Sequence, residues 1–164
     1  MSRAFTKEDA QQEDVIVVAR PPLPEGEPNL VTPNGMRLLR EEEQALAEGL
    51  VAAAASGNER RTAALQAASD DLALRLSTAV VVDPAEHDKS QVRFGDRVAL
   101  RSANASTAGG FSLRIVGVDE ADPDEGLISF LAPLARELIG EKVGQRVALG
   151  ADATGREFVV VAIE

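Results

Sequence analysis

Few residue types in this chain can do chemistry, and their spacing limits what they do. Cysteine is absent, so there is no disulfide, no thiolate nucleophile and no Cys-held metal. His87 is the only histidine, which rules out a multi-His metal site. It lies in a Pro/Asp/Lys-containing segment with no Ser or Cys nucleophile motif beside it, and reads as a solvated loop histidine. Carboxylates remain, as hard oxygen ligands that hold a divalent cation when several converge. Asp70 and Asp71 are adjacent, and adjacent helix positions do not converge on one metal, so they read as a solvated face. Asp119-Glu120-Ala121-Asp122 runs into a turn broken by Pro123 and Gly126. In Gly57-Asn58-Glu59-Arg60-Arg61 the one carboxylate is Glu59, which suits the first turn of a helix through the helix dipole. Asn58 is a weak neutral ligand and Arg61 repels a cation. No catalytic residue, metal ligand or cofactor site is assigned.

The elements that must position these residues follow from periodicity and breakers. Met1–Val31 reads as an extended, largely disordered arm: Arg20-Pro21-Pro22-Leu23-Pro24 favours polyproline II, and only Val15–Val18 is apolar enough to dock on a sheet edge. Thr32 is an N-cap and Pro33 the first helical residue. Leu38, Leu39, Leu46 and Leu50 then recur at helical spacing to about Ala54, opposite Glu41-Glu42-Glu43. Ser56-Gly57-Asn58 is a turn, and Leu65, Ala68, Leu72, Leu76 and Ala79 mark a second helix. Two such helices joined by a short turn make an antiparallel hairpin or coiled coil over residues 32–83.

From Pro84 onward strands dominate. They are expected at Val92–Arg101, Phe111–Val118, Leu127–Phe130, Gln145–Leu149 and Phe158–Ile163, with Ser102–Gly110 as a flexible loop. One short helix opens at Ala132-Pro133, with Leu134, Leu138 and Ile139 apolar and Gly140 past its end. The fold class is therefore α+β, with an arm at 1–31, a helical hairpin at 32–83 and a second domain at 84–164. The core must come from Leu, Val, Ile and Ala, because the chain is 45% hydrophobic but only 3% aromatic. A net charge of −10 argues against holding duplex nucleic acid through a phosphate-neutralising patch. There is no apolar run of membrane-spanning length and no signal-peptide core at the N-terminus, so a soluble cytoplasmic protein is expected.

The order of short motifs resembles the C-terminal domain of the Gre transcription elongation factors. The carrying residues are Arg114-Ile115-Val116-Gly117, Asp119-Glu120-Ala121-Asp122, Gly126-Leu127-Ile128-Ser129, Pro133-Leu134-Ala135-Arg136, Leu138-Ile139-Gly140 and Gly144. Ala132 departs from the family's usual Ser. Thr32-Pro33 with Gly35 and Leu39 is similar to that family's helix entry, and Val80-Val81-Val82-Asp83 to its exit, so the likeness covers about Thr32 to Glu164.

The resemblance implies an FKBP-like antiparallel sheet with one short helix, and a hairpin that enters the secondary channel of bacterial RNA polymerase. In such factors two acidic residues at the tip help the polymerase hold a second Mg2+ that activates water. The family tip has Asp and Glu where this chain has Asn58 and Arg61. Each helical arm reads roughly eight to ten residues short, which at about 1.5 Å per residue removes on the order of 13 Å of reach. The resemblance implies polymerase binding through Ile128, Ser129, Phe130, Leu131, Pro133 and Leu134, by a monomer that is not itself an enzyme and binds no specific nucleic-acid sequence. It implies regulation of elongation without stimulated transcript cleavage. The alternatives are a cleavage factor relying on Glu59, and a module that binds a different regulatory partner through the same face. An FKBP-like fold does not confer prolyl isomerase activity, and Phe94, Phe111, Phe130 and Phe158 fall largely on expected core strands.

Overall fold

The structure, a computed structural model, describes residues 20–103, 109–149 and 156–164. Val15–Val18 and residues 104–108 of the expected loop lie outside the described residues.

Thr32 caps the first long helix as its sequence predicts: its hydroxyl accepts from the Gly35 N–H at 2.9 Å, and Pro33 takes the first turn. This helix, α1, spans Pro33–Ala55. Asn58 caps the second, α2, which spans Glu59–Thr78. Gly57, at φ +68°, supplies the left-handed turn residue between them. Leu39 and Leu72 are buried together with Val31, and Met36, Leu46, Leu76 and Ala79 pack around them. Nearer the turn, Gly49 faces Leu65, where a Cβ would sit 3.4 Å from a leucine methyl.

The residues before α1 are extended, as their prolines require, but they are packed. Strand β1, Leu30–Val31, pairs in parallel with β2, Val80–Val81, which follows α2. Asn29 and Val31 are buried, and Leu23 and Leu30 rest against the larger core.

That core belongs to a five-stranded sheet built from β3 (Arg97–Ser102), β4 (Gly110–Val116), β5 (Leu127–Ser129), β6 (Arg146–Leu149) and β7 (Arg156–Ile163), in the order β5-β4-β3-β7-β6. The sheet is mixed, which corrects the expectation of an antiparallel one. Residues 117–126 carry the chain back so that β5 runs parallel to β4, with Ile115 opposite Ile128. One face packs on the short helix α3, Pro133–Leu138. Val98, Leu100, Leu113, Ile115, Val160, Ala135 and Leu138 are buried there. The other face carries the alternate residues of each strand.

Two further expectations change. Val92–Asp96 is not strand: Gly95 sits at φ +88°, and the Asp96 carboxylate accepts from the Arg93 N–H at 2.8 Å, closing a turn before β3 starts at Arg97. His87 is not a solvated histidine. Its Nε2 lies 2.9 Å from Oδ1 of Asp96, which is wholly buried, and Lys89 Nζ donates to the same carboxylate. A buried carboxylate needs donors on every side, and the segment before it supplies them. Beside them, hydrogen bonds from the Ser90 side chain and N–H hold the Asp88 carboxyl below its ordinary range.

Candidate functional site

Three places in the fold carry the residues that the sequence singled out. The first is the turn between α1 and α2. Gly57, Asn58, Glu59, Arg60 and Arg61 are all exposed. Asn58 is already used, since its Oδ1 accepts from the Arg61 N–H at 3.0 Å as the helix cap. Glu59 sits in the first turn of α2, where its charge suits the helix dipole. Asp70 and Asp71 are exposed well down α2, with Gln66 donating to Asp70 at 2.9 Å and Arg20 lying 3.4 Å from Asp71. Among the described residues no three His, Asp or Glu side chains are grouped to hold a metal.

The second place is an apolar groove of about 440 Å³ beside α3. Ile128, Ser129, Pro133 and Leu134 line it, so four of the six residues expected to form a binding face come together there. The other two do not line it. Phe130 is buried and meets Phe94 edge to face at 5.7 Å, and Leu131 packs against the core. Pro133 is exposed at the start of α3, where its missing N–H is harmless. Ala132 gives no side-chain cap, so the N–H groups of that short helix stay uncapped by a hydroxyl. The Ser129 Oγ accepts from the Leu131 N–H at 3.2 Å, in the turn that leads into the helix.

Sequence reasoning missed Ala121, Pro123, Ala132 and Glu137 as groove residues. Glu137 is one helical turn from Pro133, a spacing that could have found it. Ala121 and Pro123 arrive through the acidic turn, pinned by the paired backbone of Asp122 and Leu127, and no local pattern announces that.

The third place is the junction between the helix pair and the sheet, built from residues that looked unrelated in sequence. Glu120 is buried at the start of α1, where it accepts from Asn34 Nδ2 at 2.8 Å and from the Thr32 hydroxyl. Gly35 makes room for it: a Cβ there would sit 2.7 Å from Glu120 Oε2. Next to it, Asp119 lies 3.4 Å from both Arg20 and Arg75. Arg20 also pairs with Glu42 on α1, and Arg75 donates to the Pro21 carbonyl at 2.7 Å. Asn29 completes the knot by donating to the Arg75 carbonyl at 2.7 Å and to Thr78 at 3.0 Å. An extended segment, two helices and the loop after β4 are thus held by one set of side chains. The junction sets the direction of the helix pair relative to the groove.

Residues 87–164 match the family described as transcription elongation factor, GreA/GreB, C-terminal. The transcription elongation factor GreA of Nautilia profundicola is 49% identical over 72 residues, which are 44% of this chain and 43% of that protein. The GreA of Thermodesulfovibrio yellowstonii is 30% identical over 137 residues, covering 77% of this chain and 85% of that one. A solved GreA/GreB elongation factor from Nitrosomonas europaea is 23% identical, with a TM-score of 0.41 over 82% of this chain and 97% of its own. The match thus spans less than half of the first of these relatives but most of the second. With the sheet half matched by the family's own description and a relative at 30% identity aligned through the helix pair as well, the chain belongs to the GreA/GreB family.

Proposed function

We propose that this chain binds bacterial RNA polymerase at its secondary channel and regulates elongation without stimulating transcript cleavage. In this reading residues 32–83 form an antiparallel helical hairpin that enters the channel. Residues 84–164 form an FKBP-like domain that grips the enzyme through Ile128, Ser129, Pro133 and Leu134, and residues 1–31 are an arm. The protein acts as a monomer in the cytoplasm and is not itself an enzyme.

The observation that carries the reading is the chemistry of the exposed turn. A factor that completes a two-metal site must deliver carboxylates to it. Here the position that would carry one is Asn58, whose oxygen is committed to capping α2, and Arg60 and Arg61 stand beside it. Glu59 alone remains. The helices on either side span Pro33–Ala55 and Glu59–Thr78, and the reading takes them as arms shorter than those of a cleavage-stimulating member. What supports polymerase as the partner is family membership together with an apolar groove at the positions where the resemblance puts the gripping face.

The test is a backtracked elongation complex with a labelled transcript. The protein should give no acceleration of cleavage, and it should reduce the activity of an authentic cleavage-stimulating family member added at comparable concentration. Robust cleavage by the wild-type chain would overturn the reading and favour Glu59 as a sufficient ligand. Failure to bind polymerase at low salt would favour a different regulatory partner. Asn58→Asp with Arg61→Glu should not restore cleavage, because arms roughly eight to ten residues short at about 1.5 Å per residue still miss the metal site by on the order of 13 Å.

A further inference from the structure

The sheet has an outer face that neither the groove nor the helix pair uses. Strand alternation fixes what it carries. Val98 and Leu100 of β3 point into the core, so Arg97, Ala99 and Arg101 point out. Leu113 and Ile115 of β4 point in, so Ser112 and Arg114 point out. The register sets Arg97 directly opposite Arg114, and Ala99 opposite Ser112 on one side and Ala162 on the other. Arg101 is opposite Val159, which is in turn opposite Arg146 of β6. All four arginines are exposed.

This arrangement is unfavourable unless something covers it. Like charges directly opposite on a sheet destabilise it. In a chain with 27 acidic and 17 basic residues, carboxylates to relieve them are plentiful. Arg37, Arg40 and Arg136 each have one, at 2.6, 2.9 and 2.9 Å. Arg146 has Glu157 at 3.5 Å. Among the described residues Arg97, Arg101 and Arg114 have none. Apart from Arg60 and Arg61 at the turn between the helices, the described arginines without a carboxylate thus gather on this one face of an otherwise acidic molecule.

We infer that this outer face, Arg97, Arg101 and Arg114 around a floor of small side chains, is a docking surface for an acidic protein segment. The partner is a protein rather than a nucleic acid for three reasons. The floor, Ala99, Ala162 and Val159 with Ser112, is mostly apolar, which suits the apolar side of an amphipathic segment and offers a phosphate one hydroxyl donor. No aromatic ring lies on this face to stack a base: Phe111 and Phe158 meet each other edge to face at 5.3 Å and stand in register with core positions. The net charge of −10 repels a polyanion as a whole, whereas a short acidic segment meets only the local arginines within a Debye length of about 8 Å. Guanidinium forks match carboxylates two bonds at a time, and arginine is the basic residue that interfaces favour.

The surface is separate from the groove, so its test needs no polymerase and its failure leaves the polymerase reading standing. Full-length protein is titrated in fluorescence anisotropy against a labelled amphipathic Glu/Leu peptide and, separately, against an oligouridine of matched charge. The peptide should bind saturably and the oligouridine should not. Arg97→Glu with Arg114→Glu should weaken the peptide at least tenfold while leaving the melting temperature close to that of the wild type, because one like-charge pair replaces another at the same register position. Arg97→Lys with Arg114→Lys keeps the charge but loses the fork, and should lie between the two. Three results would overturn the inference: no saturable peptide binding, peptide binding that survives charge reversal, or oligouridine binding as tight as the peptide's, which would give the face to nucleic acid.

Discussion

Glu120 shows how a single side chain joins two stretches that are far apart in the chain. Its carboxylate holds the Thr32 hydroxyl and the Asn34 amide, and it stands over the first turn of α1 where negative charge is favoured. Gly35 is part of the same device, since only the missing Cβ lets Glu120 approach. Gly35→Ala should therefore destabilise the protein, by about 1–3 kcal/mol if the buried hydrogen bonds are lost. In a Glu120→Ala background the sign should reverse, because alanine then gains its ordinary advantage over glycine within a helix, about 1 kcal/mol. Urea unfolding of the four proteins decides it, and a Gly35→Ala cost that is equal in both backgrounds would sink the coupling. The sequence contained both halves of this contact, Thr32-Pro33-Asn34-Gly35 and Asp119-Glu120, each legible as a local motif. That they meet was not legible, because nothing in either stretch encodes its distant partner. His87 failed in the same way: a polar loop looks solvated until the buried carboxylate of Asp96, nine positions on, is placed beside it.

At the scale of elements, the helices were the most legible part. The Thr32 cap, the Ser56-Gly57-Asn58 turn and apolar residues at helical spacing placed α1 and α2 within a residue or two of their observed ends, although the capping role of Asn58 was not read. Strands were legible as apolar alternation, but not their direction, since β5 is too short to show how the loop before it returns. The groove was legible in part, because Ile128, Ser129, Pro133 and Leu134 are close enough in sequence to share an edge, whereas Phe130 and Leu131 lie in the turn after β5 and pack against the core. This division makes a test of the groove. Pro133→Glu changes an exposed first-turn residue where a negative charge suits the helix end. It should keep the melting temperature and weaken polymerase binding about tenfold in a pull-down or anisotropy titration. Phe130→Ala should instead lower stability by about 3–5 kcal/mol, the cost of emptying a buried aromatic site. If Pro133→Glu binds polymerase as the wild type does, the groove is not the gripping face.

For the molecule as a whole, the argument turns on what ties the helix pair to the sheet. Few direct contacts between α1, α2 and the strands do it. The tie runs through Arg20–Val31, which contributes Arg20 to Glu42, Asp71 and Asp119, Asn29 to the end of α2, and β1 to β2. Composition alone made this segment look like part of a loose arm, since prolines and acids bury little on average. Its few buried members, Asn29 and Val31, decide otherwise. A chain that starts at Thr32 should therefore be markedly less stable than one that starts at Arg20. It takes Arg20 away from the buried Asp119, which keeps Arg75, and it removes the buried Asn29 and Val31 together with the β1 pairing, a combined loss of about 3–5 kcal/mol. At about 2–4 °C per kcal/mol for a chain of this size, the melting temperature should fall on the order of 10 °C. Function should divide along the same line. The groove lies wholly within residues 121–137, so the shorter chain should still bind polymerase at a temperature where it is folded. The helix pair is then tied to the sheet only through Glu120 and the Arg75–Asp119 pair, so competition with a cleavage-stimulating factor in the channel should weaken more than binding does. Coincident melting curves for the two chains would show that the junction does not depend on the segment before α1. Equal competition by both would show that the helix pair finds the channel without it.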